Sequence, residues 1–192
     1  MIHMNVFDWD NTIYRGDSTV DFVKYLYTKK PKTLLNLPRG IGYGVMILGH
    51  FKDTQTCKEN FFHMFQYVDN MEEMVDAFTS EHLDHVKDFY KEIQKEDDLV
   101  ISASPEFLIS AFCKKVGIKN WIASPVDIHT GKFEGKNCNR YEKVKRFEEI
   151  YGDAKIDAFY SDSLSDAPLA NMAKEAYLVK GDVIKDWPKD CQ

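Results

Sequence analysis

The second half of the chain alternates short apolar runs with segments of helical periodicity, and few folds accept that order. After Leu99–Ser102 come a helical pattern over Pro105–Val116, an apolar run near Trp121–Ile128, a helix over Tyr141–Tyr151, a run at Ile156–Tyr160, a helix over Ala167–Met172 and a last run at Ala176–Val179. Parallel strands need crossover connections, usually helical, so the alternation predicts an α/β fold with a Rossmann-like parallel sheet covered on both faces. Ile2–Phe7 is another such run at the N-terminus. Between it and Leu99 lie three helical patterns, Ser18–Lys29, Asp53–Val68 and Asn70–Tyr90, with Ser, Asp and Asn available as N-caps. The expected organisation is therefore a core of residues 1–14 and 98–192 with a helical insertion over residues 15–97. The stretch Asp127–Asn139, with its Gly131 and Gly135, reads as a small hairpin excursion.

A chain of 192 residues can hold one domain with a modest insertion, and 44% hydrophobic with 14% aromatic content is enough for a packed core. The net charge of -6 argues against a nucleic-acid partner, which needs a basic surface, but leaves room for a local positive site that takes a small anion. The N-terminus MIHMNVFDWD has neither a basic leader nor a long apolar segment, so a cytoplasmic protein is expected. The four cysteines are scattered without a CxxC pair and read as reduced thiols. The apolar stretch Leu34–Phe51 is interrupted by Pro38, Arg39 and four glycines, which speaks for a hydrophobic lid or substrate-facing surface and against an integral membrane segment.

In open parallel sheets ligands collect at the carboxyl ends of the strands, which singles out Asp8, Asp10, Ser102 and Asp162. Asp8-Trp9-Asp10-Asn11-Thr12 follows the first run directly. Two carboxylates two residues apart at a strand end can converge on one ligand while Trp9 points away. By itself DxDxT could equally be an Asx-rich turn. Three more pieces follow in order: ISAS ending the second run, Lys143 in RYEKVKRF, and SDSLSD ending a third run in Asp162 and Asp166. A lysine between Glu142 and Arg146 usually marks a solvated helix face, and Lys145 competes with Lys143 for any role.

With DWDNT, ISAS, Lys143 preceded by GKFEGKNC, and SDSLSD in that order over nearly the whole length, the sequence resembles the haloacid dehalogenase superfamily. Within it, the resemblance is to the phosphoserine-phosphatase-like branch, whose helical cap is inserted after the first motif. The resemblance implies a phosphatase that attacks a small-molecule phosphomonoester with Asp8 and forms an aspartyl-phosphate. Asp10 would act as general acid and then general base, and Lys143 would offset the charge of nucleophile and phosphate. Thr12, Ser102, Ala103 and Ser104 would hold the phosphoryl group or its supporting loop, and Asp8, Asp10, Asp162 and Asp166 would provide the Mg2+ site, with the Asp10 main-chain carbonyl as its ligand. Ser161 replaces the glycine common before the fourth-motif Asp, and Ala103-Ser104 replaces two glycines frequent in phosphoserine phosphatases.

The same residues would serve a phosphotransferase. A receiver domain also phosphorylates a strand-end Asp, but without a large insertion, and a binding protein without turnover would not need the full set. Phosphoserine itself is disfavoured, because no arginine occurs between Gly40 and Asp98 to clamp a carboxylate. Substrate-selecting candidates are Asp17, Lys52 and Lys58, and the apolar 40–51 stretch leaves room for an amphiphilic alcohol. His82 and His85 lack further ligands for a metal, while Phe61, Phe62, Met64 and Phe65 fit the packed face of a cap helix.

Overall fold

The computed structural model describes residues 3–39 and 54–188. Six strands, β1 (His3–Phe7), β2 (Leu99–Pro105), β3 (Asn120–Ser124), β4 (Lys155–Ser161), β5 (Ala173–Lys180) and β6 (Val183–Asp186), form one sheet in the order β3-β2-β1-β4-β5-β6. All pairings are parallel except β5 with β6. The expected α/β sheet is thus present, and its central strands β1 and β2 are buried on both faces. Phe7 and Val100 face one apolar cluster while Val6, Leu99 and Ile101 face the other, which is why these runs read as continuously hydrophobic.

Among the described residues, the helices α1 (Ser18–Lys29), α2 (Thr54–Phe62), α3 (Met71–Glu81) and α4 (Asp88–Ile93) lie between β1 and β2. α5 (Glu106–Val116), α6 (Tyr141–Tyr151) and α7 (Ala167–Ala170) follow the later strands. α5 buries Leu108, Ile109, Phe112 and Cys113 and stops at Gly117, whose φ of 85° supplies the left-handed turn a helix end favours. Two of the expected helices are broken. Asp53–Val68 tightens into a 3-10 turn at His63–Tyr67, and Asn70–Tyr90 is interrupted by another at Leu83–His85. The second break has a tertiary cause, since the chain must return to the sheet, where Val86 pairs antiparallel with Tyr14. The β6 strand has no counterpart in the sequence reading because all its residues are exposed, leaving no buried face to create a period. Among the described residues no helix is long and apolar enough to cross a membrane.

Strand order places the site. β1 lies between β2 and β4, so the carboxyl ends of the three strands that carry Asp8, Ser102 and Asp162 are neighbours. The excursion after β3 is held by a bridge between Val126 and Phe133 and packs against α2. Gly131 is the closest approach there: at φ 70° a Cβ would lie 2.4 Å from the Phe62 carbonyl oxygen. Gly131→Ala should therefore lose about 1–3 kcal/mol of stability through overpacking and a disfavoured backbone. A urea midpoint unchanged from wild type would show that α2 yields freely at this contact.

Candidate active site

Asp8 continues β1, its amide donating to the Tyr160 carbonyl at 2.8 Å, and its carboxylate turns into a cavity of about 440 Å³ at the strand ends. Trp9 points the other way, fully buried against Tyr14 and Phe112. Asn11 then takes a left-handed conformation with φ 57°, which lets the chain fold back on itself, and the Asn11 amide donates to the Gly16 carbonyl at 2.8 Å. The alternation of side chains along a strand and one tight turn therefore bring Asp8 and Asp10 to the same cavity.

Lys143, from the first turn of α6, is 2% exposed and donates at 2.7 Å to both Asp8 Oδ1 and Asp166 Oδ2. Its rival Lys145 reaches outward to Glu149 at 3.6 Å. Burial acts to lower the Lys143 pKa, but the two carboxylates outweigh it and hold the ammonium charged. For Asp8 burial dominates and pushes the carboxyl well up, with Lys143 pulling it back. Asp166 also accepts from Ser161 Oγ at 2.9 Å, so the small residue before Asp162 contributes a hydroxyl that glycine would lack.

Asp10 occupies a different environment. Its Oδ1 accepts from the amide and the hydroxyl of Ser18, each at 2.6 Å, and its Oδ2 from Ser104 Oγ at 2.5 Å. Burial, together with the charge of Asp17, raises its carboxyl to about 6 in spite of these donors. Thr12 is fully buried behind the pair. Its hydroxyl donates to Asp8 Oδ2 at 3.5 Å and accepts from the Asp162 amide at 2.9 Å, tying the first loop to the fourth. Asp162 is raised by burial, and Lys180 donates to its main-chain carbonyl.

Ser102, Ala103 and Ser104 line the cavity beside these acids. Lys58, from α2, donates to the Ala103 carbonyl at 2.8 Å and to Asn137 Oδ1 at 3.1 Å, and burial lowers its pKa. Asp17 also lines the cavity while capping α1 through the Val20 amide at 2.9 Å. Lys52 and the 40–51 stretch lie outside the described residues. Val20, Cys57, Phe61 and Phe62 form an apolar wall, so two of the aromatics expected only to pack also face the cavity. His82 and His85 each turn Nδ1 to a main-chain carbonyl, of Phe78 and Arg15 respectively. Ser18, Thr19, Asn137, Asn139, Ser163 and Ser165 belong to the site without having been singled out in the sequence. Only Ser18 carried a signal, being the residue after a cap next to a two-acid motif.

Among the described residues no group of three or more His, Cys, Asp or Glu forms a dedicated metal cage. The acids that line the cavity at the strand ends are Asp8, Asp10, Asp162 and Asp166. A set with one or two carboxylates suits Mg2+, which keeps several waters and shares substrate phosphate oxygens.

The family model of haloacid dehalogenase-like hydrolases matches residues 6–171. A histidinol-phosphatase of Neisseria meningitidis serogroup C (strain 8013) is 24% identical over 240 residues, covering 98% of each chain. A protein from Bordetella pertussis Tohama I superposes with a TM-score of 0.69 at 18% identity, over 92% of this chain and 89% of the other. A phosphoserine phosphohydrolase-like protein from Francisella tularensis subsp. tularensis SCHU S4 gives 0.58 at 15% identity, over 91% and 86%. At such identities the structural likeness establishes the shared fold.

The Lys143 arrangement makes a stability prediction. Lys143→Met strands the Asp8 and Asp166 carboxylates out of water and should destabilise the metal-free protein by about 3–5 kcal/mol near neutral pH. The Asp8 carboxyl is already raised, and a raised acid penalises folding only when it ionises, so the deficit should narrow as pH falls through that range. Urea titrations at several pH values check this; a deficit independent of pH would mean that lost packing, and not stranded charge, is responsible.

Proposed function

The chain belongs to the haloacid dehalogenase-like hydrolases, and from that premise we propose that it is a Mg2+-dependent phosphatase that cleaves phosphomonoesters through an aspartyl-phosphate on Asp8. The observation that carries the reading is the pair of acids in one cavity with different surroundings: Asp8 held by Lys143, and Asp10 held by hydroxyl and amide donors with a carboxyl range near 6. A nucleophile needs its charge at the moment of attack, and Lys143 favours that charge. A group that must give a proton and then take one works best with a range near the operating pH.

In this mechanism an Asp8 oxygen bonds to phosphorus as the phosphorus–ester oxygen bond breaks, and Asp10 protonates the departing alkoxide. Asp10 then takes a proton from water, whose oxygen attacks the phosphorus of the aspartyl-phosphate, releasing inorganic phosphate and free Asp8. Ser102 and the main chain at Ala103 and Ser104 hold phosphoryl oxygens, and Thr12 steadies Asp8 from behind. Asp8, Asp162 and the Asp10 carbonyl would hold Mg2+, with Asp166 orienting Lys143. When bound, the ion offsets the negative charge of the phosphoryl group facing two carboxylates.

Residues 15–97 act as a cap that chooses the substrate, since the proposed chemical residues lie outside it. The cavity sets an acid, Asp17, and the Val20, Phe61 and Phe62 wall beside the strand ends, which supports a small or amphiphilic organic phosphate and favours one bearing a cationic group. Lys58, with two donors already engaged, is suited to shape the cavity wall more than to clamp a carboxylate. Transfer to an acceptor other than water would use the same intermediate.

Two measurements test the proposal. Hydrolysis of p-nitrophenyl phosphate should stop with EDTA and return with Mg2+, and Asp8→Asn should lower kcat by about 10³-fold or more while leaving the fold intact. Full turnover in metal-free buffer, or a trapped adduct on any residue other than Asp8, would overturn it. Asp10→Asn should slow phosphoenzyme formation from an alkyl phosphate much more than from p-nitrophenyl phosphate, whose leaving group needs little protonation. Equal slowing of both would remove Asp10 as the acid.

A further inference from the structure

Lys87 is a second buried ammonium in the molecule, and none of the chemistry above uses it. The residue is 3% exposed, and its Nζ donates to the main-chain carbonyls of Asn11 at 2.5 Å and Gly181 at 2.6 Å. Both partners are neutral. The carboxylate of Asp182, next to Gly181, is engaged by Arg15 at 3.3 Å. Taking a cation out of water to meet carbonyls alone is unfavourable, and burial accordingly lowers the Lys87 pKa. A methionine of similar length would fill the space at less cost, so the ammonium has to be explained by what its two carbonyls do.

One of them belongs to the turn that carries the nucleophile. Asn11 sits between Asp10 and Thr12 in the left-handed conformation, with φ 57°. The other belongs to the β5–β6 turn, where Gly181 has φ 60°. Lys87 itself lies where the helical insertion rejoins the sheet: its amide donates to the Ile13 carbonyl at 2.9 Å, Val86 pairs with Tyr14, and the Arg15 amide donates to the His85 carbonyl at 2.8 Å. The outgoing and returning connections of the insertion are thereby zipped together, and the Lys87 side chain extends from that zipper to the turn between Asp10 and Thr12.

We infer that Lys87 is a positioning residue, its ammonium acting as a built-in monovalent cation that fixes the Asn11 carbonyl and so the direction in which Asp8 and Asp10 present their oxygens. The inference rests on reading those two acids as the reacting groups. Without the ammonium the Asn11 carbonyl loses its donor, the turn has reason to rotate, and displacement of a reacting group by about 1 Å can lower turnover by up to 10²-fold.

Lys87→Met is the informative variant, because it keeps the volume and removes only the cation. Its melting temperature should equal or exceed that of wild type, while kcat on p-nitrophenyl phosphate falls at least about tenfold with KM changed less than about twofold. A purely structural lysine would give the opposite pattern, a lower melting temperature with kcat preserved in the folded fraction. Amide hydrogen exchange supplies a readout independent of turnover: residues 9–16 should exchange at least about tenfold faster, with β2 and β4 unchanged. In Lys87→Ala, ethylammonium chloride should restore protection at 9–16 saturably, and tetramethylammonium, which has no N–H, should not. Unchanged exchange at 9–16 in Lys87→Met, or loss of protection spread over the whole sheet, overturns the inference. If the wild-type protein hydrolyses no phosphomonoester, the phosphatase reading fails separately, and the exchange data alone decide the role of Lys87.

Discussion

An isolated carboxylate cannot stay ionised out of water, and this site places several of them at neighbouring strand ends. What makes the cluster tolerable is the ammonium of Lys143, bonded at equal distance to Asp8 and Asp166. The requirement propagates outward. α6 must begin where its first turn delivers that side chain, Ser161 must be small enough to approach Asp166 yet able to donate to it, and Thr12 must link the loops of Asp8 and Asp162. The parallel sheet meets these demands because β2 and β4 flank β1 and all three end on the same side. Shifting any one strand along its register would separate the acids from their counter-charge.

The sequence revealed the parts of this arrangement that repeat along the chain or sit beside each other in it. Strands β1, β2 and β4 announced themselves as apolar runs because both their faces are covered, and the two-acid motif follows β1 without a break. Lys143 was ambiguous for a physical reason. Glu142 and Arg146 pair with each other at 3.1 Å on the same helix, so the sequence around Lys143 looks like an ordinary charged face, and only the position of β1 tells it from Lys145. Asn137 and Lys87 were invisible because their partners are distant in the chain or are main-chain carbonyls, which leave no mark on composition or period. The 3-10 breaks at His63 and Leu83 were equally hidden, since nothing local marks where a helix must yield to a tertiary path.

Besides the packing of α3 on α5, where Phe78 meets Phe112 and Lys115 pairs with Asp76 at 2.6 Å, two contacts between the helical block and the core differ in kind. At one, its connections pair with each other around Tyr14 and Val86. At the other, Gln55, Lys58 and Glu59, on one face of α2, bond to the segment from Phe133 to Asn137. The first contact is mostly main chain and orders the turn beside the acids; the second is made by side chains and lies across the cavity mouth.

The antiparallel β6 has a consequence away from the chemistry. A parallel sheet that ended at β5 would offer an uncapped row of amides and carbonyls to any extended peptide. The hairpin through Gly181 covers that row with a four-residue strand whose outer members include Lys185 and Asp186. So short a rim, carrying opposite charges and followed by Pro188, gives a passing chain little to pair with. A strand with no buried residues of its own thus protects the sheet from lateral growth into aggregates.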